Sequence, residues 1–345
     1  MIICILAGGE GSRLWPISTP DNPKQIIKLN NSNSLIQNTY SLLKKVSKSI
    51  YIVSEESHYK KILKSIDGLS KKNMIVEPCR RGTTNCLLLA AKYISEQLKG
   101  KSDGERILFI HADHIFDNQK EFVKSINQLK KIKDKSTIVI GGRKPTYPGT
   151  KYGYVETKKG ENGLYKVVKF VEKPDQKTAD LLFSKPNYFW NEGFVSTSIT
   201  SLVQSFQKYN PAVHENWIEL EATSFLKIKN VYKKLPSSSI EKSLLEKADN
   251  VLLLPISFGW TDLGTYNSLC DSFDKNNNYN GGQNIFELDN TKTFIYNATN
   301  IKIAALGLKN LVVALTPDGL LVMDKEKEEL VPEILKQITK KDNEK

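Results

Sequence analysis

Two aspartates stand just past apolar runs that read as strands. Asp113 lies in His111-Ala112-Asp113-His114, directly after the run at 107–110. Asp262 lies in Phe258-Gly259-Trp260-Thr261-Asp262-Leu263-Gly264, a few residues beyond the run at 251–256. A carboxylate at the carboxyl edge of a strand suits Mg2+ bridging phosphates, because hard cations take oxygen ligands. The two acids can converge on one ion, or each can simply cap a turn. The spacing of His111 and His114 raises zinc, but no third nitrogen or sulfur ligand follows at the spacing zinc sites use. Cys4, Cys79, Cys86 and Cys270 form no CxxC pair and suggest no disulfide framework.

Phosphate chemistry has a second signal in Leu6-Ala7-Gly8-Gly9-Glu10-Gly11-Ser12-Arg13. Three glycines at a strand's end let backbone N–H groups approach a phosphate chain without Cβ obstruction. The spacing is neither GxGxxG nor GxxxxGK[ST], so neither a dinucleotide fingerprint nor a P-loop is present. Arg13 can clamp phosphate oxygens with its planar fork; the same turn is also compatible with a plain surface arginine. Lys24, in Pro23-Lys24-Gln25, gains meaning only from this company. Glu172 and Lys173, in Phe170-Val171-Glu172-Lys173-Pro174, pair an acid and a base at a strand end, suited to a sugar hydroxyl and a phosphate. Asn191, in Trp190-Asn191-Glu192-Gly193-Phe194, offers an amide that both donates and accepts. Each of these stretches also reads as an ordinary turn. No Ser/His/Asp or Cys/His arrangement supplies a nucleophile.

The elements that must carry these residues follow from hydrophobic period. Short apolar runs at 2–6, 50–53, 74–76, 107–110 and 137–140 predict strands. Amphipathic stretches at 34–46, 55–65, 83–98 and 119–132 predict helices, the third capped by Thr83 or Thr84. Such alternation implies parallel βαβ units in a doubly wound sheet, where ligands bind beyond the carboxyl ends of the strands. Further on, 152–157 and 165–171 predict an antiparallel pair. The Asn/Gly-rich stretch 276–282 reads as a linker. Strand-like runs at 293–296, 301–305, 311–315 and 319–323 then predict a small β module closed by a polar helix over 325–341. The expected division is a catalytic domain at 1–275 and a small β-rich domain with a terminal helix at 283–341. Residues past about 280 contain no phosphate or metal constellation and are expected to serve assembly or stability.

Composition narrows the partners. The 345 residues carry 50 Lys+Arg against 38 Asp+Glu, a formal charge of +12. The lysines are spread over helix-like stretches such as Lys60, Lys61 and Lys64 as solvated faces, with no dense basic block interleaved with aromatics, so nucleic acid is not called for. No apolar segment approaches the ~20 residues that span a bilayer. Met1 to Ala7 lacks a charged n-region and does not read as a signal peptide. A cytoplasmic protein is expected.

Taken together and in order, these motifs resemble the sugar-nucleotide pyrophosphorylases. The likeness rests on the glycine loop through Arg13-Leu14-Trp15-Pro16, Pro23-Lys24-Gln25, Glu77-Pro78, Ala112-Asp113-His114, Tyr152-Gly153-Tyr154, Phe170-Val171-Glu172-Lys173-Pro174, Trp190-Asn191 with Gly193, and Gly259-Trp260 with Asp262 and Gly264. It covers residues 2–275, and more weakly the rest. Leu14-Trp15-Pro16 followed by Pro23-Lys24-Gln25 is more similar to the mannose-1-phosphate guanylyltransferase (GDP-mannose pyrophosphorylase) branch than to the uridylyl or thymidylyl branches.

The resemblance implies an α/β fold: a Rossmann-like nucleotidyltransferase domain with a mixed, mostly parallel sheet, plus a small C-terminal β domain. It implies transfer of GMP from GTP to mannose 1-phosphate with Mg2+, by direct in-line attack at the α-phosphorus, giving GDP-mannose and pyrophosphate. Leu6, Gly8, Gly9, Gly11, Arg81 and Thr83 would line the nucleotide, and Arg13 and Lys24 would bind the triphosphate. Asp113 and Asp262 would hold Mg2+, and these four charged residues form the catalytic set. Tyr152, Gly153, Glu172, Lys173 and Asn191 would contact the sugar 1-phosphate. A homodimer is implied, with neither nucleic acid nor membrane as partner. The relatives' additional phosphomannose isomerase domain has no room in this sequence.

Three positions depart from the family pattern. Gly82 replaces an asparagine near the nucleotide, Lys151 replaces a glycine before Tyr152, and Glu241 stands where an aspartate is usual. Base and sugar therefore stay open: another sugar 1-phosphate (heptose or glucose), another NTP, or a non-catalytic sugar-nucleotide-binding regulator are the alternatives. Retention of Lys24, Asp113 and Asp262 argues against the last. Gly82→Asn is expected to raise the preference for GTP, unless Thr84 or Asn85 supplies the missing contact.

Overall fold

The computed structural model describes every residue except 10, 29–32, 102, 274–277 and 344–345; the side chains of 262, 271–273 and 342–343 are also outside the description. Strands β1 (Ile2–Leu6), β2 (Ile50–Glu55), β3 (Met74–Glu77) and β4 (Arg106–His111) pair in parallel in the order β3-β2-β1-β4. They are apolar on both faces because helices cover both sides. Ile3 and Ile5 enter one core while Cys4 and Leu6 enter the other. Helices α1 (Leu35–Lys44), α2 (Glu56–Ser65), α3 (Gly82–Gln97) and α4 (Gln119–Leu129) lie close to the ranges read from period. A capping box of Ser34 and Gln37 starts α1. The residues from Leu87 to Ala91 in α3 are fully buried. The expected threonine cap of α3 is not used: Arg81 occupies the N-cap and the helix begins at Gly82.

Beyond β4 the sheet becomes mixed. With β5 (His114–Phe116), β6 (Ile138–Arg143), β7 (Tyr154–Lys159), β8 (Tyr165–Val171), β9 (Tyr188–Ser198) and β10 (Val251–Pro255), its full order is β3-β2-β1-β4-β9-β6-β10-β8-β7, with β5 outside it. β9 runs antiparallel to both β4 and β6 and occupies the centre. The turn reading of Asn191-Glu192-Gly193 is therefore overturned: the triplet lies inside this strand. The register shifts between Ile140↔Val195 and Gly142↔Asn191, with Gly193 at φ +67. A bulge of this kind re-aims side chains beside a functional site. β5 pairs antiparallel with β11 (Trp260–Asp262).

The C-terminal unit is built from β12 (Tyr279–Gly282), β13 (Ile285–Leu288), β14 (Phe294–Asn297), β15 (Ile303–Leu306), β16 (Leu311–Thr316) and β17 (Gly319–Asp324). β12, β14 and β16 are parallel, β17 closes them antiparallel, and β13 pairs in parallel with β15. The linker reading fails where it is described: 276 and 277 lie outside the described residues, and Tyr279–Gly282 is a strand. Its anchor is Tyr279, buried and stacked on Phe294 at 4.6 Å, which outweighs the turn signal of the Asn and Gly residues. The closing helix is in two pieces, a 3-10 stretch Lys325–Leu330 and an α-helix Val331–Asn343.

This unit shares a core with the segment after the glycine loop. Leu14 and Ile17 pack with Leu263, Tyr266, Phe294, Val312 and Ala314. Tyr266 Oη donates to Trp15 O at 2.9 Å, and Thr316 Oγ1 donates to Pro16 O at 3.2 Å. A Cβ on Gly319 would stand 2.9 Å from the Trp15 indole, so backbone and ring are in close contact. The C-terminal strands thus brace the loop that carries Arg13. Among the described residues, no helix is long and apolar enough to cross a membrane.

Candidate active site

The carboxyl ends of β1 and β4 bring the first group together. Gln25 is buried and its Nε2 donates to Gly8 O at 2.8 Å and Gly9 O at 3.2 Å, fixing the turn after Leu6. Gly9 N donates to Glu55 Oε1 at 3.3 Å, and Arg80 Nε donates to the same oxygen at 2.7 Å. Gly11 caps the short 3-10 turn Ser12–Leu14, from which Arg13 points outward while Leu14 is buried. Lys24 reaches across 89 positions to an ion pair with Asp113 Oδ2, their side chains 12% and 15% exposed. Burial alone would raise the Asp113 carboxyl, but the Lys24 ammonium and the neighbouring imidazoles hold it well below the usual carboxylate range.

Burial pushes His114 down to about 3, so its imidazole is neutral at physiological pH. It stacks on Trp260 at 3.9 Å. His114 pairs with Asp262 in the β5–β11 register, and Leu263 N donates to Asp113 O at 3.1 Å. The backbone of position 262 is thereby set beside Asp113; the Asp262 side chain lies outside the described residues. Among the described residues, no three His, Cys, Asp or Glu side chains gather as a ready-made metal cluster.

A second group forms across β7, β8 and β9. Tyr152 stacks on Trp190 at 4.3 Å. Asn191 N donates to Gly153 O at 2.8 Å, and Asn191 Oδ1 is buried without a partner. A Cβ on Gly153 would lie 2.7 Å from Glu172 Oε2, so that carboxyl rests against the glycine. Lys173 Nζ lies 3.6 Å from Glu172 Oε1. Burial raises the Glu172 carboxyl, and Glu241 adds to the effect. All five expected sugar-phosphate residues are gathered here. Lys151 points elsewhere, its Nζ 3.5 Å from Glu328 Oε1 of the C-terminal unit.

Arg81 and Thr83 are engaged differently. Arg81 Nε donates to Lys233 O at 3.1 Å, and Thr83 Oγ1 accepts from Ile240 N at 2.9 Å. Thr84 shares a hydrogen bond with the Ser243 hydroxyl at 2.7 Å, and Asn85 Nδ2 donates to Arg81 O and Pro236 O. Residues 81–85 thus bind the segment 233–243. Gly82 sits at φ +77, and a Cβ there would stand 2.2 Å from Ser238 O. The expectation for Gly82→Asn is accordingly corrected: the backbone rejects the side chain, and Thr84 and Asn85 are committed to buried bonds.

Sequence reasoning gave no role to Glu77 or Arg143. Glu77 is buried, accepts from Tyr232 Oη at 2.7 Å, and has Oε2 3.6 Å from where a Cβ on Gly8 would stand. Burial raises its carboxyl. Its signal was the Glu77-Pro78 motif, which entered the resemblance without a role. Arg143 ends β6 with no motif around it.

A glycine turn on β1, an ionised aspartate after β4 and a polar and aromatic group across β7–β9 form the frame of a nucleotidyltransferase. The nucleotidyl transferase family model matches residues 2–278, and the mannose-phosphate isomerase/GMP-like β-helix domain model matches 283–338. A mannose-1-phosphate guanylyltransferase of Salmonella typhimurium is 31% identical, over 98% of this chain and 72% of its own length. Mannose-1-phosphate guanylyltransferase 2 of Escherichia coli O157:H7 is 28% identical, over 98% and 73%. A crystal structure described as a mannose-1-phosphate geranyltransferase from Thermus thermophilus superposes with a TM-score of 0.86 at 27% identity, covering 98% of this chain and 99% of that one. The chain belongs to the nucleotidyltransferase family and, within it, to the mannose-1-phosphate guanylyltransferases, enzymes that transfer GMP to a sugar phosphate.

Proposed function

We propose that this enzyme takes GMP from GTP to mannose 1-phosphate with Mg2+, giving GDP-mannose and pyrophosphate. The observation that carries this reading is the Lys24–Asp113 pair beside the glycine turn, where Lys24 Cε lies 4.0 Å from where a Cβ on Gly9 would stand. An oxygen of the sugar phosphate attacks the α-phosphorus of GTP; the new P–O bond forms as the bond to the bridging oxygen breaks and pyrophosphate leaves. Two polyanions must meet, so fixed positive charge is the main requirement. Arg13 and Lys24 hold the triphosphate, and Lys173 the sugar phosphate. Gly8, Gly9 and Gly11 give close backbone approach beside Leu6, while Arg81 and Thr83 hold the nucleotide wall through the 233–243 segment. No side chain is acylated or phosphorylated in this scheme.

Asp113 and Asp262 would hold the Mg2+. Asp113 fits the role, being ionised and offering the oxygen donors a hard cation takes. When bound, the ion supplies charge neutralisation and a template for phosphate oxygens. Lys24, paired to Asp113, is placed to exchange its carboxylate for phosphate as substrate arrives.

Base choice is assigned to Glu77. Guanine carries an amino donor at N2 beside its ring N–H, and a carboxyl oxygen accepts from such donors. Residues 1–275 carry the chemistry, and 283–341 together with β12 form the bracing β-rich unit. Phe286, Leu288 and Leu306 are exposed on β13 and β15; such a patch favours a second copy of the chain as partner. The cytoplasm, where the nucleotide is made available, is the assigned compartment. Pyrophosphate release measured over a panel of NTPs with mannose, glucose and heptose 1-phosphates tests the reading. GTP with mannose 1-phosphate should give the highest kcat/KM; a better pair elsewhere in the panel moves the substrate assignment, and no release with any pair overturns it.

A further inference from the structure

Arg143 ends β6 at the margin of the acceptor pocket, and no motif of the site includes it. Its Nε donates to Glu192 Oε1 at 3.1 Å, and Glu192 sits in the bulged part of β9 with its side chain 2% exposed. The guanidinium carbon lies 5.5 Å from the centre of the Trp190 ring, the same ring on which Tyr152 stacks. Nη1 comes within 3.2 Å of where a Cβ on Gly259 would stand, so the glycine leaves the room it occupies. Asp117 is the other nearby carboxylate, and its Oδ1 is already bonded by Gly259 N at 2.7 Å. Among the described residues, the terminal nitrogens of Arg143 have no hydrogen-bond partner, and its side chain is 26% exposed.

Four further polar atoms on residues around this bulge are buried without partners: Trp190 Nε1, Asn191 Oδ1, Glu192 Oε2 and Trp260 Nε1. Buried polar groups are normally paired, and a cluster of orphans marks where a ligand completes the bonding. An arginine tethered at Nε and lying beside an aromatic ring is preorganised. Its terminal N–H groups then form the planar fork that fits an oxyanion.

We infer that Arg143 binds an oxyanion of the acceptor sugar phosphate and that Glu192 is the residue that positions it. The inference rests on the proposed transfer to a sugar phosphate. The oxyanion can be the 1-phosphate itself or a second anionic group on the sugar.

The test uses the full chain, with GTP and Mg2+ saturating and the acceptor varied between mannose 1-phosphate and mannose 1,6-bisphosphate. Arg143→Met should raise the acceptor KM by about tenfold or more, as loss of a bidentate charged contact does, while the KM for GTP stays within about twofold. Arg143→Lys should recover only part, because a point charge does not replace the fork. Glu192→Gln should fall between wild type and Arg143→Met. Equal losses with both acceptors assign the 1-phosphate; losses confined to the bisphosphate assign the second group. A KM unchanged for both acceptors in Arg143→Met overturns the inference, as does an equal rise for GTP and acceptor together with a lowered melting temperature. A wild type that releases no pyrophosphate with any acceptor instead overturns the transfer reading beneath it.

Discussion

Thr316 Oγ1 donates to the carbonyl of Pro16 at 3.2 Å, joining residues 300 positions apart. The bond fastens the last β-hairpin to the loop that presents Arg13. Thr316→Val should leave the Pro16 carbonyl buried and unpaired, lowering stability by about 1–3 kcal/mol. It should also raise the KM for GTP more than that for the sugar phosphate. Melting curves and steady-state kinetics check both; an unchanged KM for GTP would show that the brace is not felt by the nucleotide site.

Asp113→Asn and Asp262→Asn should each remove most activity while the fold persists. On the proposed Mg2+ assignment, either change removes a charged oxygen ligand and exposes the mutual repulsion of the phosphates in the transition state. Circular dichroism should match wild type, and the Mg2+ concentration for half-maximal rate should rise. Near-normal turnover in either variant would refute the metal assignment.

Gly82→Asn should destabilise rather than sharpen base choice. Position 82 is left-handed, which asparagine tolerates better than most residues, but a Cβ there would stand 2.2 Å from Ser238 O, a backbone atom that must shift. The melting temperature should fall. On the proposed assignment of base choice to Glu77, base choice should respond instead to Glu77→Gln, which replaces one of two acceptor oxygens by an NH2 donor. The ratio of kcat/KM for GTP over ATP should drop by tenfold or more, about 1.4 kcal/mol. An unchanged ratio would remove Glu77 from base reading.

Glu192 gives the fold a pH dependence. Burial pushes its carboxyl up to about 8, against 4.5 for the ordinary group, with Arg143 opposing the rise. Between those values the folded state binds the proton and the unfolded state does not, so stability must fall as pH rises through the window and level off above about 8. Chemical denaturation at a series of pH values should show this fall, and Glu192→Gln should flatten it. Identical profiles for the two proteins would contradict the assignment.

Much of this architecture was legible in the sequence, and the exceptions have physical causes. β1 to β4 and α1 to α4 could be read because uninterrupted apolar runs alternate with amphipathic ones, as a doubly covered sheet demands. β9 could not be read through its middle, since Asn191, Glu192 and Gly193 are polar or turn-forming residues placed in a central strand by a bulge that lines the pocket. Sites are where local sequence rules give way to function. The types of Lys24 and Asp113 suggested phosphate chemistry, but their contact is tertiary and no spacing announces it. Arg143 had no signal of any kind: its meaning comes from Glu192, Trp190 and Gly259, which meet only in three dimensions.

The shared core also sets an order in time. Tyr266 and Thr316, partners of Trp15 and Pro16, are synthesised 251 and 300 positions after them, and Gly319 follows Thr316. Chains fold largely from the N-terminus as they are made, so β1 to β4 can associate early while the segment after the glycine turn waits. The loop that carries Arg13 is thus among the last parts of the N-terminal unit to gain its packing partners. A nascent chain lacks the scaffold of that loop until Thr316 and Gly319 have been made.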